Sequence, residues 1–348
     1  MTGGTTWRMP AETEPHTCTW MAWPSSGYTD GDDAREAWAS VALAVAEFEP
    51  VRMVVDPSAV KDAWRWLGGA VEFFEAPLDD AWMRDIGPTF VVGPGGLGAV
   101  DWVFNGWGGQ SWASWERDAR IARQVAEWAG ATIISSDLVN EGGGIHVDGH
   151  GTVLVTETVQ LDPGRNPGWS RAGVEAELMR TLGVHEVVWM PRGLTRDYGE
   201  FGTRGHVDIV AAFPRPGTVL LHRQRDPRHP DHELDELFRS ALKPGWTVVE
   251  LPAPEEIEDE GGPVDHSYVN HLVCNSGVVA CTFDDPRDAA ALEILAAAYP
   301  GRRVIGVDAR AIFARGGGIH CITQQEPAVT QREPAETQQE PAVSGGIP

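Results

Sequence analysis

The chain has 348 residues, with 51 Asp and Glu against 27 Lys and Arg, a formal net charge of -24 at pH 7. A surface of that sign repels polyanions, which excludes nucleic acid as a partner and favours a small cationic ligand. There is no run of the roughly 20 apolar residues that a bilayer span needs and no charged-then-apolar leader, and the four cysteines lack CxxC spacing and are too few to staple so long a chain, so a cytoplasmic protein with free thiols and no membrane partner is expected.

In chain order, residues 34–48 read as a helix and Pro88 to Val103 as a hairpin. His146-Val147-Asp148 followed by Gly151-Thr152-Val153-Leu154-Val155 reads as a second hairpin. Val174, Leu178, Met179 and Leu182 then recur at helical spacing, and His185 to Trp189 returns as a strand. The series repeats. Val207 to Phe213 with Gly217 to Leu221, the apolar set Leu234, Leu237, Phe238 and Leu242, and Thr247 to Leu251 make one more copy. Tyr268 to Cys274 with Gly277 to Cys281, followed by Asp288 to Tyr299, open another. The unit is ββαβ, an α/β architecture with about five copies. A single copy cannot bury its own sheet face, so the copies are expected to pack round a common axis with their strand-end loops meeting at one mouth.

The end of the chain differs in kind. Thr323 to Ala328 is echoed by Thr330 to Ala335 and by Thr337 to Ala342, and Pro327, Pro334 and Pro341 forbid a continuous helix. One catalytic domain is expected over 1–328, and a disordered, repeat-containing tail without a catalytic role over 329–348.

The string Gly142-Gly143-Gly144-Ile145-His146 returns as Gly316-Gly317-Gly318-Ile319-His320, but Val147 is replaced by Cys321. Packing does not require a thiol there, whereas nucleophilic chemistry does. Three other polar loops carry Asp85, Glu141, and His206 with Asp208. If the units share an axis these loops converge, bringing a thiol, an imidazole and three carboxylates together. That set suits a planar cation: two carboxylates can grip a guanidinium's rigid fork of donors while a thiolate attacks its carbon and a histidine moves protons. Each residue also has a plain reading. Arg84 and Asp85 can be a surface ion pair, His206 and Asp208 can be a structural pair on one face of a strand, and Glu141 can cap a turn. Cys274 and Cys281 read as core residues, and His146 reads as architectural. No metal-type spacing is present.

Taken together, these stretches give the chain a resemblance to the agmatine deiminase family, within the guanidino-group-modifying superfamily. They are Met9 to Glu12, Trp20 to Pro24, Asp80 to Asp85 with Gly87-Pro88, Glu141 to Gly143 running into His146 to Gly149, Gly205 to Asp208, Ser267 to Asn270, and Gly316 to Gln325. The resemblance spans residues 9–327 and implies a five-bladed, pseudo-symmetric α/β propeller (pentein fold). It implies hydrolysis of agmatine to N-carbamoylputrescine and ammonia through an amidino-cysteine on Cys321, with neither metal nor organic cofactor. It also implies that Asp85 and Asp208 hold the guanidinium, His206 is the general acid/base, Glu141 helps bind substrate, Trp82 lies beside the guanidinium, and Asn270 lines the substrate site; Arg204, outside the family pattern, is a further candidate substrate contact. A homodimer is expected on the same ground. The chain departs from the family pattern at Gly202-Thr203-Arg204, where an acidic Glu-Thr-Asp run is usual, and at His271 and Ile86. Arginine near the substrate's far end leaves open a guanidino acid such as arginine as substrate. An amidinotransferase, and a catalytically silent binding protein, are the remaining alternatives.

Overall fold

The structure is a computed structural model that describes residues 7–329. All of the expected tail except Val329 lies outside the described residues. The fold is mixed α/β, built from small sheets that repeat one strand order. In four of them, two antiparallel strands are followed by a third that runs parallel to the second. These are Thr89–Gly93, Gly96–Val103 and Thr132–Val139; Ile145–Val147, Thr152–Thr156 and Glu186–Met190; Ala211–Arg215, Thr218–Arg223 and Thr247–Pro252; and Leu272–Val273, Gly277–Thr282 and Arg303–Asp308. Each parallel return needs a crossover, and helices supply it. Arg171–Leu182 crosses in the second of these sheets, Leu234–Ala241 in the third and Asp288–Ala298 in the fourth.

A further sheet joins the two ends of the described chain. Thr323–Pro327 pairs antiparallel with His16–Ala22, which continues in parallel to Val51–Val55 and Glu72–Glu75. The order of the repeat is kept, with the first strand taken from the far end of the sequence. Glu258–Asp259 and Gly262–Pro263 add a two-stranded ribbon.

Central strands are buried on both faces, as the buried runs of Thr152–Thr156 and residues 277–281 illustrate. The helices present one stripe to this core. Arg171–Leu182 buries Val174, Leu178 and Leu182, with Ser170 Oγ accepting the Gly173 N–H at 3.2 Å as an N-cap. Met179 and Leu237, counted in those stripes from the sequence, instead stand outside them and are exposed. Cys274 and Cys281 are core residues, as expected.

Two expected strands are shorter in the fold. Val207 to Phe213 begins as the 3-10 turn Val207–Ile209 and becomes a strand only at Ala211–Arg215. Tyr268 to Cys274 pairs only over Leu272–Val273. Local polar bonds compete for the backbone in both: Val210 N–H donates to Val207 O at 2.9 Å, and Val269 N–H donates to Ser267 Oγ at 3.2 Å. Among the described residues no helix is long and apolar enough to cross a membrane.

Candidate active site

Each candidate residue lies on the loop that precedes the first strand of a sheet. Asp85 is on the helical turn Met83–Ile86 ahead of Thr89–Gly93, and Glu141 precedes the turn Gly142–Gly144 and the strand Ile145–Val147. His206 and Asp208 precede Ala211–Arg215, Asn270 precedes Leu272–Val273, and Cys321 precedes Thr323–Pro327. Asp85, Glu141, His206, Asp208, Asn270 and Cys321 are all 5 % exposed or less.

The thiol sits between two polar partners. Asn270 Nδ2 donates to Cys321 Sγ at 3.2 Å, and Sγ lies 3.4 Å from Asp208 Oδ2. Burial, with Asp208 and Asp85 close by, pushes the Cys321 thiol well above its ordinary pKa. Trp82 closes the same corner. A Cβ on Gly317 would stand 2.7 Å from the Trp82 ring and 3.1 Å from Sγ, so only glycine lets indole and thiol approach from either side.

His206 and its carboxylates form the second half. Its Nε2 lies 3.4 Å from Glu141 Oε2 and its Nδ1 lies 3.8 Å from Asp85 Oδ2. Burial lowers the His206 pKa, but Asp85, Glu141 and Asp208 outweigh it and raise the imidazole to about 9. Glu141 shows the opposite balance: against burial, Arg165 and His206 hold it down at about 2. Burial raises the Asp85 carboxyl, and Glu141 and Asp208 add to it. Gly143 marks where the groups meet. A Cβ there would lie 2.5 Å from His206 Nδ1 and 3.1 Å from both Asp208 Oδ2 and Asp85 Oδ1. Among the described residues, His206 Nδ1 and Asp208 Oδ1 are buried without a hydrogen-bond partner.

His206 and Asp208 are therefore neighbours in space through a 3-10 turn, not along one face of a strand. Arg84 is not part of a surface ion pair. It is buried, donating from Nε to His320 O at 3.1 Å and from Nη1 to Gln325 Oε1 at 2.8 Å, and so cradles the Cys321 loop. Arg204 stands apart from the buried group: its side chain is 41 % exposed and its Nη1 lies 3.4 Å from Asp162 Oδ2.

Sequence reasoning missed the residues that hold the set in place. Trp107 Nε1 donates to Asp85 Oδ2 at 2.9 Å. Asp197 accepts the backbone N–H groups of Thr203, Gly205 and His206 at 2.6, 2.6 and 3.1 Å, fixing the His206 loop. His320 lies between Asp208 and Glu12, and Arg165 lies against Glu141. Only the Gly-Gly-Gly-Ile-His duplication and the Met9 to Glu12 stretch gave any sign of His320 and Glu12.

Chemically, the arrangement offers a thiol, a protonated imidazole and carboxylates directed at one another in a buried space. Desolvated carboxylates attract a planar cation strongly, and that cation would in turn ease ionisation of the thiol.

The chain matches the model of the Porphyromonas-type peptidyl-arginine deiminase family over residues 8–327, and it belongs to that family. It is 60% identical to a protein of Streptomyces coelicolor provisionally named agmatine deiminase, over 92% of this chain and 99% of that one. It is 40% identical to the agmatine deiminase of Ectopseudomonas mendocina, over 92% of this chain and 95% of the relative. Its fold superposes on the solved agmatine deiminase of Enterococcus faecalis with a TM-score of 0.87 at 33% identity, covering 94% of this chain and 98% of that one.

Proposed function

We propose that this protein is an agmatine deiminase, hydrolysing the guanidinium of agmatine to N-carbamoylputrescine and ammonia. The observation that carries the reading is the meeting of Asp85, His206 and Asp208 at Gly143, with the Cys321 thiol 3.4 Å from Asp208. The relatives' names agree with it.

In the proposed mechanism the guanidinium lies between Asp85 and Asp208, beside the Trp82 ring. Its charge offsets the carboxylates that hold the Cys321 proton, and the thiol releases that proton to solvent. The thiolate forms a bond to the guanidino carbon, and one C–N π pair moves onto nitrogen. The His206 imidazolium, 3.4 Å from Glu141, protonates the departing nitrogen, which leaves as ammonia. Neutral His206 then takes a proton from water as the water oxygen attacks the amidino carbon. The C–S bond then breaks, returning its electron pair to sulfur, and the remaining hydroxyl forms the C=O of the ureido product as it gives its proton to solvent.

The five sheets of the repeat are proposed to stand as blades round one axis. Two observations support this. One loop per sheet delivers a residue to the same site, and the first strands of neighbouring sheets pack side by side, as Thr323–Pro327 does with Thr89–Gly93 and Ile145–Val147 with Ala211–Arg215. The proposed catalytic domain is 1–328. Agmatine is favoured over a guanidino acid because the Arg204 charge is already matched by Asp162.

The test is to offer purified protein agmatine, arginine and a shorter guanidino acid separately and to measure ureido product and ammonia. Turnover of agmatine with one ammonia per product, abolished in Cys321→Ala, is expected. Turnover of the acids alone would replace the substrate assignment, and amidino transfer without ammonia would make the protein a transferase.

A further inference from the structure

Beneath Cys321 lie Glu12 and His320, two charged groups that the mechanism above does not use, and they reach Asp208, which it does. His320 Nδ1 is 2.8 Å from Asp208 Oδ2, and its Nε2 is 2.8 Å from Glu12 Oε1. All three side chains are buried. An ionised carboxylate only accepts hydrogen bonds, so a histidine bonded to one at each nitrogen must carry both protons. The duplicated partner behaves differently. His146 Nδ1 accepts the Phe213 N–H at 3.3 Å and so bears no proton, while its Nε2 lies 3.8 Å from Glu12 Oε2. The two copies of Gly-Gly-Gly-Ile-His thus bring their imidazoles to the two oxygens of one glutamate, ring centroids 6.2 Å apart, one charged and one neutral.

We infer that Glu12 and His320 are positioning residues of the deiminase site: Glu12 holds His320 as an imidazolium, and the imidazolium fixes Asp208 by Oδ2 so that Oδ1 is left for the substrate guanidinium. The inference rests on the reading of the site given above. It accounts for the lone unpartnered oxygen of Asp208, and it places a cation behind the carboxylate nearest the thiol. The groups facing His320 are Glu12, Asp208, Arg84, His146, His271 and the adjoining Cys321. Burial and Arg84 lower its pKa, and Glu12 and Asp208 overcome them to raise it. Burial raises Glu12, but His320, His146 and Arg84 hold it well below its ordinary value. A purely structural Glu12 would be indifferent to its charge, whereas this role depends on it.

The experiment is a pH titration of the full-length protein labelled at histidine 13Cε1, with His320→Gln used to assign the resonance. His320 is expected to remain protonated through neutrality in the wild type, and to titrate about one unit lower or more in Glu12→Gln, a tenfold change in proton affinity per unit. In the same preparations Glu12→Gln is expected to lower kcat for agmatine about tenfold with little change in KM, and Glu12→Asp, which keeps the charge, to recover part of it. A neutral His320 in the wild type overturns the inference. So does an unshifted titration in Glu12→Gln, and so does a kcat loss that Glu12→Asp shares in full. If Glu12→Gln does not fold, the wild-type titration decides alone. If the wild type leaves agmatine untouched, the functional reading fails while the imidazole titration still reports on Glu12 and His320.

Discussion

Arg165 donates from Nε to both carboxylate oxygens of Glu141, at 3.0 Å each, and neither side chain has any solvent exposure. Removing one member of such a pair strands the other charge in a low dielectric, which costs about 3–5 kcal/mol. Arg165→Met is therefore expected to lower the melting temperature sharply at neutral pH. The deficit has a sign in pH. Glu141 drops from 4.5 in the unfolded chain to about 2 in the folded one, so its contribution is complete above 4.5 and is lost as pH falls toward 2. The gap between wild type and Arg165→Met should narrow over that window, as denaturant melts at a series of pH values would reveal. A constant gap would mean that the two residues are coupled by packing alone.

A Cβ on Gly143 would lie within 3.1 Å of the side chains of His206, Asp208 and Asp85. Gly143→Ala puts a methyl group among them, and rigid carboxylates on short loops cannot all retreat. A loss in kcat/KM of about 100-fold or more is expected, since displacements of an ångström cost that much in positioned sites. The backbone φ of Gly143 is not in the left-handed region, so the loss should come with only the stability cost of overpacking, about 1–3 kcal/mol, and with no added backbone strain. Normal turnover in a folded Gly143→Ala would show that the substrate does not use this meeting point.

The raised pKa of His206 predicts a stability that depends on pH at the alkaline end. A histidine lifted from 6.5 to about 9 stabilises the fold fully below 6.5, and that contribution disappears as pH rises through 9. Wild-type unfolding free energy should decline across this interval, and His206→Gln, with nothing to titrate there, should lose that part of the slope. Parallel pH profiles for the two proteins would place the imidazole outside the influence of Asp85 and Glu141.

The parts of this architecture visible in the sequence were those that repeat. Gly151 and Gly217 each precede a buried central strand, Gly277 begins one, and the swap of Val147 for Cys321 in a duplicated string singled out that thiol. Hydrophobic period and turn residues encode such local units directly. What escaped notice was set by contacts far apart in the chain. The pairing of His16–Ala22 with Thr323–Pro327 has no local signature, nor does the contact of Glu12 with His320. Asp197, Arg165 and Trp107 look like ordinary loop residues until their partners His206, Glu141 and Asp85 are beside them. The strand expected through His206 failed for the reverse reason: its apolar run is real, but Asp197 and Ser267 give its backbone other partners.

Arg204 tests the substrate assignment. Its Nη1 is 3.4 Å from Asp162 Oδ2, and the same oxygen accepts from Arg165 Nη1 at 2.9 Å. Arg204→Ala removes one positive charge from the rim and leaves Asp162 less neutralised. For a substrate with an ammonium at its far end, KM should fall a few-fold, the scale of partly screened charge effects of up to about 1 kcal/mol. Steady-state kinetics with agmatine would measure it. A rise in KM for agmatine, or the loss of turnover with a guanidino acid, would make Arg204 a direct contact to substrate instead.

Truncation separates the tail from the domain. Thr323–Pro327 completes a sheet with His16–Ala22, Trp20 Nε1 donates to Glu326 Oε2 at 2.8 Å, and Gln325 Oε1 accepts from Arg84 Nη1 at 2.8 Å. A chain ending at Ile322 loses all of these, exposes an unpaired strand edge and frees the arginine that cradles the Cys321 loop. It should not fold to an active protein. A chain ending at Val329 keeps every one of them and should match the full-length protein in melting temperature and in kcat/KM. If the longer truncation were stable but slow, the repeated segment would belong to the catalytic unit, and the boundary at residue 328 would have to move.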